Sequence, residues 1–253
     1  AFRGIEVLDE GRRVRVQPGA TIRAVNTALA RYQRKLGPDP ASSVACTVGG
    51  VLADNSSGMS CGTIANSYQT LESMVIVLAS GTVLDTADPD ADDKLCSTEP
   101  ELVETLLRLR ETCRRPEHAE RIRHLFSMKN TMGYGVNSLL DYSTPVDILQ
   151  HLLIGSEGTL GFVASATYRT LPIHKFVSTG LLVFDNLLDA TRSVPELVAN
   201  HLATVELMDA TSIRVAQRTG QAAEQQGQQC GEALGIGAGR LPARYRALDI
   251  VIA

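Results

Sequence analysis

Pro38-Asp39-Pro40-Ala41-Ser42-Ser43-Val44-Ala45-Cys46-Thr47-Val48-Gly49-Gly50-Val51-Leu52-Ala53-Asp54-Asn55-Ser56-Ser57-Gly58 gathers prolines, hydroxyls and glycines around one short apolar turn. Gly49 and Gly50 carry no Cβ, so the backbone there can approach a neighbour closely and turn its N–H groups outward. Bare amides favour oxyanions. Asn55, Ser56 and Ser57 add side-chain donors, each worth roughly 1.5–3 kcal/mol toward a charged phosphate. By composition alone the stretch is either a pyrophosphate cradle or a tight turn.

A second glycine-bearing stretch lies about a hundred residues on. Leu153-Ile154-Gly155-Ser156-Glu157-Gly158-Thr159-Leu160-Gly161-Phe162-Val163 spaces three glycines at intervals of three, just before an alternating run from Leu160 to Leu171 that reads as a long strand ended by Pro172. A Gly-x-Gly-x-x-Gly fingerprint needs a strand before its glycines and a helix after them. Here a strand follows, which disfavours a nicotinamide site. Gly235-Ile236-Gly237-Ala238-Gly239 fails the same test, because no strand pattern precedes it.

Outward from these stretches the chain alternates strands and helices. Gly4–Asp9 and Arg13–Gln17 read as a hairpin around Asp9-Glu10-Gly11, and Thr21 is placed to cap a helix with Ile22, Val25, Ala28 and Leu29 on one face. Leu71–Ala79 and Thr82–Asp85, joined by Ser80-Gly81, read as a second hairpin. After the acidic stretch Asp88–Asp93, Thr98 and Glu101 have capping-box spacing with Pro100 at a first-turn position, predicting a helix through Arg110 with the stripe Leu102, Val103, Leu106, Leu107 and Leu109. A short helix is expected from about Pro116 to Leu125. The arginines of these two helices, interleaved with Glu111, Glu117 and Glu120, read as a solvated face. Beyond Pro172 the order is strand (Val177–Phe184), helix (about Asn186–Ala199, interrupted at Pro195), strand (Ala203–Met208) and a helix capped by Asp209, half of a ferredoxin-like layer. From Gln221 periodicity is lost, apart from Leu248–Ile252.

The 253 residues, 44% hydrophobic and 21% charged, are enough for one large or two modest cores. A net charge of −4 excludes a general polyphosphate-binding surface, so nucleic-acid binding is not expected. No apolar run reaches the ~20 residues of a bilayer span, and Ala1-Phe2-Arg3-Gly4 does not open a signal peptide, which predicts a soluble, cytoplasmic chain. Cys46, Cys61, Cys96, Cys113 and Cys230 contain no Cys-x-x-Cys pair, so they read as free, buried thiols, with no metal site. His118, His124, His151, His174 and His201 read as surface or capping side chains, and no catalytic base is identified.

Five motifs stand in a fixed order: Val16-Gln17-Pro18-Gly19; Pro38–Gly58 with Thr47-Val48-Gly49-Gly50; Val77-Leu78-Ala79-Ser80-Gly81-Thr82; Lys129-Asn130-Thr131-Met132-Gly133-Tyr134; and Gly155-Ser156-Glu157-Gly158-Thr159-Leu160-Gly161. Together they resemble the FAD-linked oxidases of the vanillyl-alcohol-oxidase fold, and specifically the flavin-dependent D-2-hydroxy-acid dehydrogenases. The likeness covers residues 1 to about 172, and Val205-Glu206-Leu207-Met208-Asp209 extends it weakly.

The resemblance implies an α+β fold with an FAD-binding domain over 1–172, the start of a ferredoxin-like cap over 173–220 and an atypical tail over 221–253. It implies that Pro40, Thr47, Val48, Gly49, Gly50, Asn55, Ser56, Ser57 and Gly58 run along the pyrophosphate and flavin ring of FAD. Gly155, Glu157, Gly158, Thr159 and Gly161 would support the adenosine side, with Asn130 and Tyr134 nearby; ordinary packing on a strand is the other reading of Tyr134. The implied reaction oxidises a small D-2-hydroxy acid to the 2-oxo acid, with hydride passing to flavin N5 and electrons leaving to an acceptor. The family's first phosphate loop and His-rich cap have no counterpart in the sequence, so the chain reads as a fragment. A non-catalytic remnant of the fold, or a flavin-dependent sugar or alcohol oxidase, are the competing readings.

Overall fold

The structure, a computed structural model, describes residues 2–58, 60–175, 181–200, 204–219 and 249–252. The chain divides into two compact units, Ala1–Ile173 and His174–Ala253.

The first unit is built on an antiparallel sheet of five strands. β1 (Ile5–Leu8) and β2 (Arg13–Val16) form the first hairpin, with Ile5 opposite Val16, and β4 (Leu71–Val77) and β5 (Val83–Asp85) form the second. Between them lies β6 (Phe162–Arg169), giving the order β1-β2-β6-β4-β5. The period of two is visible in β2, where Val14 and Val16 are buried and Arg13 and Arg15 are exposed. In β6 the consecutive residues Ala166, Thr167 and Tyr168 are all buried, so both faces of the sheet are covered there. Two register shifts against β4, between Leu71 and Ser73 and between Val75 and Ile76, accommodate extra residues in the pairing. The expected strand from Leu160 to Leu171 is divided: after β6, the pair β7 (Leu171–Pro172) leaves the sheet to meet β3 (Arg34–Lys35).

Helix α1 (Ile22–Ala30) begins where expected: Thr21 Oγ1 accepts from the Ala24 N–H at 3.2 Å, and Ile22, Val25 and Leu29 are buried. Two short helices follow, α2 (Val48–Asp54) and α3 (Ser67–Thr70). The capping box at Thr98 is not formed. Thr98 is the last residue of α4 (Ala91–Thr98), which starts inside the acidic stretch, and its hydroxyl donates to the Lys94 carbonyl. α5 (Pro100–Cys113) instead starts after Glu99, whose carboxylate accepts from the Ser80 and Thr82 hydroxyls of the β4–β5 turn. Val103 and Leu106 are buried, but Leu107 and Leu109 are exposed, so the stripe is narrower than its composition implies. α6 (Pro116–Phe126) carries exposed arginines, whereas Arg110 of α5 turns inward and its Nε donates to the Tyr142 carbonyl at 3.0 Å. α7 (Ser138–Asp141) and α8 (Pro145–Leu152) then lead back to β6.

The second unit has β8 (Leu181–Phe184), α9 (Leu187–Ala199), β9 (Glu206–Met208), α10 (Ala210–Thr219) and β10 (Asp249–Ile252). β10 lies between β8 and β9, antiparallel to both, the split β-α-β arrangement of a ferredoxin-like layer. Asn186 caps α9 by accepting from the Asp189 N–H at 2.9 Å, the helix continues through Pro195 rather than breaking there, and Asp209 Oδ1 accepts from the Ser212 N–H at 2.7 Å as expected. Residues 177–180 of the expected strand, Ala203 of the next one, residues 221–248 and 253 of the tail, including Cys230, and His201 lie outside the described residues. Among the described residues no helix is long and apolar enough to cross a membrane, and no cluster of His, Cys, Asp or Glu could hold a metal ion.

Candidate functional site

The two glycine-bearing stretches meet. α2 is capped at its start by Thr47, and at its end Asn55 takes the left-handed conformation (φ 52°, ψ 38°), which asparagine tolerates better than most side chains. A helix end leaves carbonyls without intrahelical partners. The Gly155 N–H donates to the Leu52 carbonyl at 2.9 Å and the Glu157 N–H to the Ala53 carbonyl at 2.9 Å. Gly155 has φ 82°, and a Cβ built there would lie 2.5 Å from the Gly133 carbonyl oxygen and 3.5 Å from Asn55 Cβ. Only glycine fits. The Lys129–Tyr134 motif, α2 and the Gly155–Gly161 motif thus converge although about a hundred residues of sequence separate the outer two.

The amides of α2 are not bare. Val48 N–H donates to the Ala20 carbonyl at 2.8 Å and Gly49 N–H to the Pro18 carbonyl at 2.9 Å, while Gly50 N–H faces Thr47 Oγ1 at 3.4 Å. A Cβ on Gly49 would lie 2.7 Å from Pro18 Cβ, so this glycine admits the Val16–Gly19 turn. Gly50 is exposed, and an added Cβ would meet only Thr47 Oγ1 at 3.6 Å. The cradle chemistry expected of this pair is therefore confined to the open side of Gly50. Val48 and Pro40 are buried, and Thr47 is half-buried.

Below α2 the chain is tied down by polar contacts. The Asp39 N–H donates to the Ser57 carbonyl at 2.8 Å, and Asp39 accepts from the Ser60 N–H and hydroxyl. Gly58, at φ 100°, lets the Asp39 backbone pass; a Cβ would lie 2.3 Å from Asp39 Oδ1. Lys129 Nζ donates to the Gly58 carbonyl at 2.6 Å, which clasps the Lys129–Tyr134 motif to the same loop. Ser56 donates to Asp54 and Ser57 is buried, so neither hydroxyl is presented as a free donor on an open surface. Burial pushes the thiol of Cys61, beside this loop, above its ordinary value and keeps it neutral. Cys96, by contrast, is exposed, contrary to the expectation of buried thiols.

Tyr134 lies in a loop rather than on a strand, and its hydroxyl is 2.7 Å from Thr159 Oγ1, which itself donates to the Ser156 carbonyl. Glu157, with φ 52°, and Gly158, with φ 74°, are exposed, and Gly161 backs onto the Val77 carbonyl just before β6. Of the expected site residues, Asn55 and Asn130 line one open cleft. Thr47 to Gly50 belong to the opposite end of α2, some 8–12 Å from Asn55 at about 1.5 Å per residue.

The cleft is also lined by Asn66, Gln69, Asn137, Tyr68 and Phe126, which sequence reasoning did not single out. Asn66 caps α3, and Asn137 stands at the corresponding position of α7 without capping it. An asparagine before a helix is ordinarily read as a cap, which conceals any other role. Behind the cleft Tyr68 donates to Asp141 Oδ2 at 2.8 Å. His151, expected at a surface or a cap, is buried: its Nδ1 lies 2.8 Å from the Asp147 carbonyl, its Nε2 2.9 Å from the Tyr142 hydroxyl, and its ring stacks on Tyr142. The carbonyl can only accept, so Nδ1 carries the proton and Nε2 accepts from Tyr142. Burial lowers the His151 pKa and raises that of Tyr142 to about 12, so both are neutral packing partners rather than acid–base groups.

Residues 1–87 match the family model of an FAD binding domain. The first unit has the flavin-binding fold of the vanillyl-alcohol-oxidase type. The whole chain aligns with the structure of an alkyldihydroxyacetonephosphate synthase of that fold, with a TM-score of 0.58 at 14% identity, covering 99% of this chain and 36% of the other. The chain is also similar in sequence to curated relatives. Over 217 residues the chain is 28% identical to the glycolate oxidase subunit GlcD of Escherichia coli (strain K12), covering 84% of this chain and 33% of GlcD. It is 28% identical to the D-2-hydroxyglutarate dehydrogenase of Pseudomonas putida (85% and 21% covered) and 25% identical to the D-lactate dehydrogenase of Anaerostipes hadrus (75% and 29% covered). The chain spans about a third or less of the length of these relatives.

Proposed function

We propose that the first unit is the cofactor-binding part of an FAD-dependent oxidoreductase acting on a small D-2-hydroxy acid. The observation that carries this reading is the pair of hydrogen bonds from Gly155 and Glu157 to Leu52 and Ala53, which joins the two glycine-bearing motifs at the end of α2. The named relatives act together with it: a glycolate oxidase subunit, a D-2-hydroxyglutarate dehydrogenase and a D-lactate dehydrogenase all have 2-hydroxy acids in their names.

The residues fit a flavin in part. Asn55 is buried with Oδ1 lacking a hydrogen-bond partner, an acceptor that a ring N–H would satisfy. No cation lines the cleft, so it favours the uncharged ring over the phosphates. Gly50, Gly158 and Thr159 would hold the rest of the dinucleotide from their exposed positions. When bound, a flavin supplies an acceptor for the hydride on the substrate's α-carbon, while the hydroxyl proton passes to a base. Asn55 and Asn130 orient the ring in this reading, and Lys129 holds the two loops that carry them.

The test is anaerobic reconstitution of the purified chain with FAD, followed by addition of D-lactate, glycolate or D-2-hydroxyglutarate. Loss of the oxidised flavin band with a D-acid, but not with its L-isomer where one exists, is the expected result. A chain that retains FAD and is bleached by none of these acids has lost the substrate assignment, and one that retains no FAD has lost the cofactor assignment.

A further inference from the structure

His151 is a buried titratable side chain for which the proposed chemistry has no use. It lies in α8, 4% exposed, stacked on Tyr142 with ring centroids 4.0 Å apart and edge-on to Tyr68 at 4.8 Å. Both ring nitrogens are engaged in the neutral form, Nδ1 donating to the Asp147 carbonyl and Nε2 accepting from the Tyr142 hydroxyl. A second proton on Nε2 would point at a hydroxyl that already donates toward it, so Tyr142 must turn its O–H away. The charged groups around the ring are few. Asp147 of α8 and Asp141 of α7 attract a proton, but Asp147 already accepts from the Thr144 hydroxyl, and Asp141 from Tyr68 and Asn137. Arg110 of α5, paired with the exposed Glu111, donates to the Tyr142 carbonyl, and Asp92 of α4 accepts from the Val146 N–H at the start of α8. Burial outweighs the two nearby carboxylates and holds the His151 pKa below its ordinary value.

The same residues support the joint between the two glycine-bearing motifs. A Cβ on Gly135 would lie 3.0 Å from the His151 carbonyl oxygen and 3.6 Å from both the Ile154 carbonyl oxygen and the Tyr68 ring, so the loop from Gly133 to Gly135 rests on the end of α8 and on the aromatic cluster. Gly133 in turn lies against Gly155, whose N–H holds the Leu52 carbonyl of α2. We infer that His151 is an acid-sensitive latch: when its ring takes up a second proton, α8 loses its bond from Tyr142, the joint between Gly155 and α2 loosens, and the chain holds FAD less tightly. The effect on the cofactor rests on the flavin reading above, whereas the loosening of the joint does not. Because the folded chain favours the neutral ring, the latch is closed above about pH 6.5, the ordinary histidine value, and opens as the pH falls below it. Linkage makes the coupling reciprocal, so bound FAD opposes protonation of His151.

The experiment follows amide hydrogen exchange of the full chain by NMR at about pH 7.5 and about pH 5, corrected for intrinsic rates, with FAD affinity read by flavin fluorescence at both. At the lower pH the Gly155 and Glu157 amides should lose protection about fivefold or more while those of β2 change less than about twofold, and FAD affinity should fall in parallel. His151→Gln stays neutral throughout and keeps an oxygen that can accept from Tyr142, so the acid step disappears from both readouts. His151→Phe keeps the stacked ring without a titratable nitrogen and is the second variant. The parent needs no variant for one further check: the midpoint of the His151 ring signal must coincide with the loss of protection. Protection lost equally in β2 and at the joint, lost in the variants as in the parent, or lost away from that midpoint means general acid unfolding and overturns the latch. If the joint loosens but FAD affinity ignores pH, the inference fails at its cofactor step and the flavin reading stands. If FAD binds at neither pH, the flavin reading falls, and the exchange data alone decide whether His151 controls the joint.

Discussion

Gly49 and Gly50 in α2, and Gly155 and Gly158 in the later motif, are two pairs of glycines close in sequence, and the members of each pair meet different surroundings. Gly49 lies against Pro18 and Gly155 against the Gly133 carbonyl, so these two are needed for the scaffold to close on itself. Gly50 is exposed with ordinary room for a methyl group, and Gly158 has nothing within 4 Å of an added Cβ. The pairs also differ from one another. Gly49 has a helical backbone and is constrained by its neighbour alone, whereas Gly155, at φ 82°, is constrained by its neighbour and its own conformation. A glycine-rich motif in this fold is therefore a joint with an open side, and only the open side is free to meet a ligand.

The contrast is sharpest at Gly155. Gly155→Ala adds a left-handed conformation that costs an L-residue about 1–2 kcal/mol and a contact 2.5 Å from a backbone oxygen that cannot move aside. A loss of about 3 kcal/mol is expected, measured as the urea midpoint of the first unit at constant slope. A loss under about 1 kcal/mol would show that the joint relaxes easily, and the division into packed and open glycines would not hold. Gly49→Ala comes next. Its Cβ would press on Pro18 Cβ at 2.7 Å, an overpacking cost of about 1–3 kcal/mol, partly offset by the roughly 1 kcal/mol that Ala gains over Gly in a helix. A net loss of about 1–2 kcal/mol by the same measurement is expected.

These joints mark the limit of what the sequence shows by itself. The hairpins, Thr21 and Asp209 are local: alternation over four or five residues, or a cap three residues from its donor, is printed in the neighbouring letters. The spacing of Thr98 and Glu101 is equally local and misleading, because α4 already occupies Thr98 and its buried side, Ala91 and Leu95, has too few apolar residues to announce a helix inside an acidic run. The bonds from Gly155 and Glu157 to α2 join residues with about a hundred positions between them, and no period carries that information. Nor does composition reveal that the Gly49 amide is occupied, since the Pro18 carbonyl that takes it lies in another turn. Asn66 and Asn137 are hidden for a different reason: both sit before helices, where asparagine has an ordinary use.

The open positions predict smaller effects. Gly158→Ala carries only the conformational cost, about 1 kcal/mol at φ 74°, because no atom lies near the new methyl. Comparing its urea midpoint with that of Gly155→Ala isolates the steric part of the latter, as the two share a positive φ and differ in what the Cβ meets. Equal losses at the two sites would mean that backbone conformation, and not the approach of Gly133, sets the cost at Gly155.

Gly50→Ala reverses the sign. Its backbone is helical, the nearest atom is Thr47 Oγ1 at 3.6 Å, and replacing glycine by alanine in a helix stabilises by about 0.5–1 kcal/mol. Stability should rise slightly in the unfolding measurement. If the exposed side of Gly50 lies along the dinucleotide, the same methyl group stands where the cofactor approaches, and FAD affinity should fall while the protein becomes harder to unfold. Opposite movement of the two quantities is informative because no loss of folding can explain it: a variant that is more stable and binds FAD more weakly has been altered on its ligand-facing side. FAD affinity unchanged or improved in Gly50→Ala would instead make this glycine a helix residue without a ligand, leaving the carboxamide end of α2 as the part of the loop that meets the flavin.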